Sequence, residues 1–339
     1  MNRLKKYITA NLSSLFISIF LPLFAIASVI LFIKLATYTA VIQLSVWEMT
    51  KLYIFRLPEI LFYTLPVTFL IAATLSLFKL SNDNEIVVIF SLGIKPSYLI
   101  KTLLKPAILL SLVLMLDFLI LFPHATVLSA NFVAYKKGEA KFNLAASEFG
   151  NSFGDWLLYL GKKNSDGSFS KVFLFNKKQK KEILIAAKQA KLVNDAGILR
   201  LKLYDGEGYS YSKEKFTQIN FKTMLINDTM KTNMRDYKKP LAFWLSNDRA
   251  KDKKQMLITD FLMSIFPIIS LFFVTAIGVV HARHGKSQIY LYLFLGIILY
   301  YGATMGLQGA LGYYTIPAVL LSWLFITYFI YRRTIVSRF

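Results

Sequence analysis

"SNDNEIVVIFSLGIKP", residues 81–96, sits between two apolar runs that are each long enough to cross a bilayer. It mixes acid, amide and base, yet Ile86, Ile89 and Phe90 recur at helical spacing and form an apolar stripe. The pattern predicts a short amphipathic helix over about 82–93, where a plain connection between two spans needs none. Asn82 and Glu85 fit the N-cap and N3 positions of a capping box, worth about 1 kcal/mol to such a helix. Gly93 suits its end, and Pro96 suits the start of the next helix. An exposed amphipathic helix of this kind is what an apolar groove on another protein recognises.

Outward from this stretch, windows poor in charge mark the spans. Residues 12–33, 60–78 and 261–280 carry no charge, and 106–123 carries only Asp117. Residues 287–331 are also uncharged, too long a run for one helix. "GLQGALGYYTIP" (306–317), with three glycines and a proline, divides that run in two. Six spans are expected. The whole composition agrees: 339 residues, 55% hydrophobic, mean hydropathy +0.49. The first run is too long for a signal-peptide core and no A-x-A-like site follows, so it reads as a retained span. Cysteine is absent, which fits an extracytoplasmic domain without disulfides and decides little else.

Lys and Arg near span ends set the orientation. Arg3, Lys5 and Lys6 precede the first span; Lys79, Lys95, Lys101 and Lys105 flank the 2–3 loop; Arg283 and Lys286 lie in the 4–5 loop; Arg332, Arg333 and Arg338 end the chain. All fall on one side, so both termini are expected in the cytoplasm. The piece over 124–255 then lies outside it. That piece holds 25 Lys and Arg against 13 Asp and Glu, a net of +12 (25 − 13). Long domains translocate largely regardless of charge, so the excess does not oppose the orientation. It fits either a solvated basic surface or an anionic partner.

Within 124–255 the periodicity changes. "DWLLYLG", "KVFLFN", "EILIAAKQAKLV", "ILRLKLY" and "TQINFKTMLI" read as strands; "NSDGS", "KKQKK", "NDAG" and "DGEG" read as turns. An antiparallel β domain is expected, a sandwich or an open jelly-roll type, flanked by helical "LSANFVAYKKGEAKFN" and "WLSNDRAKDKKQMLITDF". The chain thus divides into spans 1–3 over 1–123, the β domain over 124–255, and spans 4–6 over 256–339.

No catalytic constellation emerges. G-x-S-x-G and H-E-x-x-H are missing, and His281 and His284 in "HARHGK" lack a carboxylate or thiol to complete a metal site. The "GKS" at 285–287 is no phosphate loop, because Val280 stands where its first glycine belongs and a membrane helix precedes it. No metal, cofactor or nucleic-acid partner is expected, and the chain is expected not to be an enzyme.

Six spans, a β insert of about 130 residues between spans 3 and 4, and "LSNDNEIVVIFSLGI" after span 2 together resemble the LptF/LptG (YjgP/YjgQ) family of lipopolysaccharide export permeases. The resemblance covers the whole chain. The most specific part is Glu85 with the apolar run after it, then Ser91-Leu92-Gly93-Ile94. The loop "HARHGKSQIYL" looks more like LptF than LptG. The resemblance implies an ABC exporter of the inner membrane. In it, a paralogous LptG-like permease and a cytoplasmic LptB-like ATPase dimer join this chain. Spans 1 and 5 gate a lateral opening, and a jelly roll passes lipopolysaccharide to a periplasmic bridge. It also implies that the helix at 82–93 is a coupling helix, with Glu85, Ile86, Ile89, Phe90 and Gly93 against the ATPase.

Glu85 is open to both readings, since a cap and a contact with a basic group are compatible. Lys34 ends the first apolar run. It either snorkels to the interface or, as the family position implies, meets a lipid A phosphate inside the cavity. Lys51 and Arg56 are weaker lipid-contact candidates, and Asp117 is expected to reach the interface without a role. The rival reading is a mechanotransmission or signalling permease that couples an ATPase to the outer domain without carrying lipid. A bare membrane anchor has no use for the helix at 82–93. A secondary transporter would show repeated halves and midplane carboxylates, which are not evident.

Overall fold

Charge-free runs become long helices because each satisfies its own backbone in an apolar medium. The computed structural model describes residues 2–39, 44–145, 151–153, 156–164, 166–178, 181–195, 198–212, 215–227, 240–245, 250–280 and 288–337. The "HARHGK" loop, with His281, His284, Arg283 and Lys286, lies outside the described residues. The helices are α1 (Asn2–Thr39), α2 (Val46–Asn82), α3 (Glu85–Ser91) and α4 (Ser97–Leu116). A π-helical segment, Asp117–Leu121, carries α4 into α5 (Phe122–Ala145). After the strands come α6 (Pro240–Leu245), α7 (Ala250–Ile269), α8 (Leu271–Gly278), α9 (Ile289–Leu311) and α10 (Thr315–Tyr331).

Among the described residues, four helical runs are long and apolar enough to cross a membrane, five if α7 and α8, bent by 46°, form one span. One of those runs, Ile289–Val336, has 48 residues and includes both α9 and α10. A 3₁₀ turn at Gly312–Tyr314 separates them, with Gly312 at φ +55°. The break falls within the expected 306–317 stretch.

Spatial proximity groups the chain into two units: Met1–Phe32, Arg56–Ala125 and Lys238–Phe339 form one; Ile33–Phe55 and Thr126–Tyr237 form the other. The first is helical. Its core joins Phe69, Leu70 and Leu77 of α2, Leu103 and Leu114 of α4, Leu262 and Phe266 of α7, and Tyr300 of α9. The Phe266 and Tyr300 ring centroids are 4.3 Å apart, and Trp323 stands 5.1 Å from Tyr300. The Tyr300 hydroxyl donates to the Leu262 carbonyl at 2.7 Å. Small residues let these helices close up. A Cβ on Gly278 would lie 2.9 Å from the Thr74 carbonyl oxygen, and one on Gly296 would collide with the Phe273 ring.

The second unit carries a six-stranded antiparallel sheet in the order β1-β2-β3-β4-β5-β6. The strands are β1 (Asn151–Phe153), β2 (Trp156–Leu160), β3 (Phe169–Lys178), β4 (Lys181–Asp195), β5 (Ile198–Ser212) and β6 (Lys215–Asn227). Period-2 alternation fixes one face as core: Leu158, Leu174 and Ile185 are cross-strand neighbours, as are Leu160, Val172 and Ala187. Tyr135 of α5 packs on this face. In the same unit Lys136 Nζ meets Glu48 at 2.5 Å. The 164–168 turn is closed by Asp166, whose Oδ1 accepts the Ser168 hydroxyl at 2.6 Å and the Ser168 N–H at 3.0 Å. Those two donors hold its carboxyl below the usual range.

Among the described residues the strands follow one another in sequence as an antiparallel meander, in line with the expected antiparallel β domain. One expectation changes. The "DGEG" stretch is not a turn. β5 runs through it to Ser212, with Asp205 at φ +47° and Gly206 lying beneath the Phe221 ring of β6. Both expected helical flanks contain helix: α5 continues past the π-helical segment, and α7 leads into the apolar stretch before α8.

Candidate functional site

The connection between α2 and α4 is built from the end of α2. That helix persists to Asn82, so Asn82 is helical and cannot serve as an N-cap. Asn84 takes the N-cap place instead, at φ +59°, a left-handed conformation that Asn tolerates, with no side-chain cap bond. The expected Asn82–Glu85 capping box therefore does not form. The Glu85 carboxylate accepts a 2.8 Å hydrogen bond from the Tyr7 hydroxyl on α1. Gly93 lies at φ +78° just past the helix, and its N–H reaches the Phe90 carbonyl at 2.9 Å, ending α3 where expected. Pro96 occupies the N-cap position of α4.

The apolar stripe of α3 faces its own chain. Ile86 is 1% exposed and Ile89 7%, and both are inaccessible to another protein in this structure. Ile86 belongs to the helical core, and half-buried Phe90 packs against that core. The physical reason is length. A seven-residue helix cannot hold itself, so burial of its own stripe seats it. What faces outward is Val88 and Leu92, 56% and 74% exposed and four residues apart, with half-buried Glu85 and exposed Gly93. Sequence reasoning chose one apolar stripe and passed over Val88; the available signal was the i, i+4 spacing of Val88 and Leu92.

Ser81, also unremarked in the sequence, pins the base of this connection. Buried, it donates to the Gly278 carbonyl and accepts from the Val280 N–H, each at 3.2 Å. The last turn of α2 is thereby tied to the end of α8. Asp117 differs from expectation as well: it is buried at 7% exposure inside the π-helical segment. Asp260 of α7 is more deeply buried, and its Oδ1 has no hydrogen-bond partner among the described residues.

The three basic candidates differ in their surroundings. Lys34, near the end of α1, is exposed. Lys51, at the start of α2, is exposed, with its Nζ 5.8 Å from the Trp47 ring centroid. Arg56 is paired with Glu59, one turn along α2, at 2.7 Å. Among the described residues, no group of three or more His, Cys, Asp or Glu is arranged to hold a metal ion.

No curated protein matches the chain. The family described as "Lipopolysaccharide export system permease LptF/LptG" matches it over residues 6–331, nearly its whole length and across both units. With that match added to the apolar helices, the inserted antiparallel sheet and the short helix between α2 and α4, the chain belongs to the LptF/LptG family of lipopolysaccharide export permeases, multi-pass proteins of the inner membrane.

Proposed function

We propose that this chain is one of two permease subunits of an ATP-driven exporter. It extracts lipopolysaccharide from the inner membrane and passes it to a periplasmic bridge protein. In this reading six spans cross the membrane, α9 and α10 counting as two. Both termini are cytoplasmic and the β domain is periplasmic, with the chain divided at about 1–123, 124–255 and 256–339. The partner permease is LptG-like, this chain taking the LptF role, and hydrolysis belongs to a cytoplasmic ATPase dimer.

The observation that carries the reading is the outward face of α3. Exposed Val88 and Leu92 sit beside a carboxylate on a helix whose other stripe is locked into the core. That is the makeup of a docking surface: an apolar contact, one charge, and a rigid mount. Ile86 and Ile89 serve as the mount, and Glu85 is the charge that meets a basic group of the ATPase. Phe90 and Gly93 set the edge and end of the surface. On the lipid side, Lys34 and Lys51 supply mobile cations for phosphate, and Arg56 contributes once Glu59 releases it.

The experiment compares Glu85→Gln with Glu85→Ala by co-purification of the ATPase in mild detergent. The glutamine variant keeps an acceptor for Tyr7 and loses the charge. A charge-assisted contact is worth about 1.5–3 kcal/mol, so both variants are expected to lose ATPase by roughly tenfold or more. Wild-type recovery of the ATPase with Glu85→Gln would remove the proposed ion contact.

A further inference from the structure

The hydrogen bond between Tyr7 and Glu85 joins residues 78 apart in sequence. The first turns of α1 are its seated part. Leu4, Ile8 and Leu12 follow one another at four-residue spacing on the core side, with Ile8 at 0% and Leu12 at 4% exposure. Farther along, Ile17, Leu21, Ile26, Val29 and Ile30 are all more than half exposed, and only 6% of the apolar window of this span is buried. α1 is therefore gripped by its own unit near its N-terminal end. Two polar contacts reinforce that grip on either side of α3. Tyr7 holds Glu85 at the start of α3, and Lys5 Nζ stands 5.8 Å from the ring centroid of Tyr98, just inside α4.

A carboxylate offers two oxygens and about four lone-pair sites. Tyr7 occupies Oε1, which leaves Oε2 open for a cation and fixes the plane in which that cation must approach. The same bond makes the seated end of α1 and the start of α3 one mechanical piece. We propose that Tyr7 is a positioning residue, orienting the Glu85 carboxylate toward its cationic partner and delivering displacement of α3 directly to the exposed helix α1. This rests on the reading of α3 as the ATPase-docking surface. Phenylalanine fills the same space and cannot donate, so the hydroxyl is separable from the ring.

The test measures lipopolysaccharide release by Tyr7→Phe in the assembled exporter in lipopolysaccharide-loaded proteoliposomes, and a Tyr7/Glu85 double-mutant cycle in amide exchange over Glu85–Ser91 on the permease without ATPase. Tyr7→Phe is expected to retain the ATPase and to lower lipopolysaccharide released per ATP hydrolysed by about three- to tenfold, the worth of one exposed charge-assisted bond. It is also expected to raise exchange across α3, whereas Glu85→Gln, which keeps an acceptor, is not. In a Glu85→Ala background, Tyr7→Phe should add nothing to exchange, because the two groups act through one bond. Unchanged release per ATP in Tyr7→Phe overturns the proposal, as does an equal exchange increase with and without Glu85. Failure of the docking reading looks different: Glu85→Gln and Glu85→Ala would both retain the ATPase, while the exchange cycle still reported the bond.

Discussion

The helical unit and the sheet solve the problem of telling inside from outside by different means. In the sheet, buried Leu158, Leu160, Val172 and Leu174 alternate with more accessible neighbours, including exposed Lys171, and solvent avoidance selects the register. In the helical unit that contrast is missing. Ile17, Leu21, Phe294 and Leu299 are as apolar as the core and yet exposed. Lipid is as apolar as leucine, so burial by itself supplies little direction. Close contact takes over: Gly278 against α2, Gly296 under Phe273, and the Tyr300 hydroxyl on a backbone carbonyl. Shape and hydrogen bonding specify the helical unit, and hydrophobic alternation specifies the sheet.

Three substitutions probe that contrast, in descending order of effect. Leu174→Ala in the sheet removes a fully buried side chain and is expected to cost about 2–5 kcal/mol, as a transfer loss plus a cavity. Limited proteolysis within 151–227 measures it. If cleavage there were unchanged, alternation would not be what holds the sheet. Gly296→Leu in the helical unit is expected to cost about 1–3 kcal/mol despite adding apolar surface, because the Phe273 ring occupies the space. Thermal unfolding in detergent reads this, and a raised midpoint would show that hydrophobicity outweighs shape there. Tyr300→Phe isolates the polar component by deleting only the donor to Leu262, with an expected loss of about 0.6–1.7 kcal/mol. A midpoint identical to wild type would assign the whole role of Tyr300 to its ring.

The short helix between α2 and α4 shows how far reading the chain could reach. Its existence, its end at Gly93 and the following Pro96 were legible, because local chemistry dictates them. The capping box was not. Asn82 has the right spacing to Glu85, but whether α2 stops before it depends on what holds the last turn of α2, and Ser81 is bonded to Gly278 and Val280, about two hundred residues away. The outward face was misassigned for a related reason. A stripe at helical spacing says that one side is apolar and leaves open whether its own core or a partner covers it. Asp117 and Asp260 illustrate the same gap, since charge in a span can be read from sequence while burial depends on the helices around it.

Sequence by itself determined the membrane class, the long apolar helical runs, the inserted antiparallel strands and the presence of a short amphipathic helix between α2 and α4. These follow from hydrophobic periodicity and turn residues, which act over a few neighbouring positions. Only the tertiary structure decided that Ile86 and Ile89 face inward, that Val88 and Leu92 face out, that "DGEG" lies within a strand, and that Glu85 is bonded to Tyr7. Each of these depends on groups far apart in the chain competing for the same partner, and that competition is settled only when the elements pack.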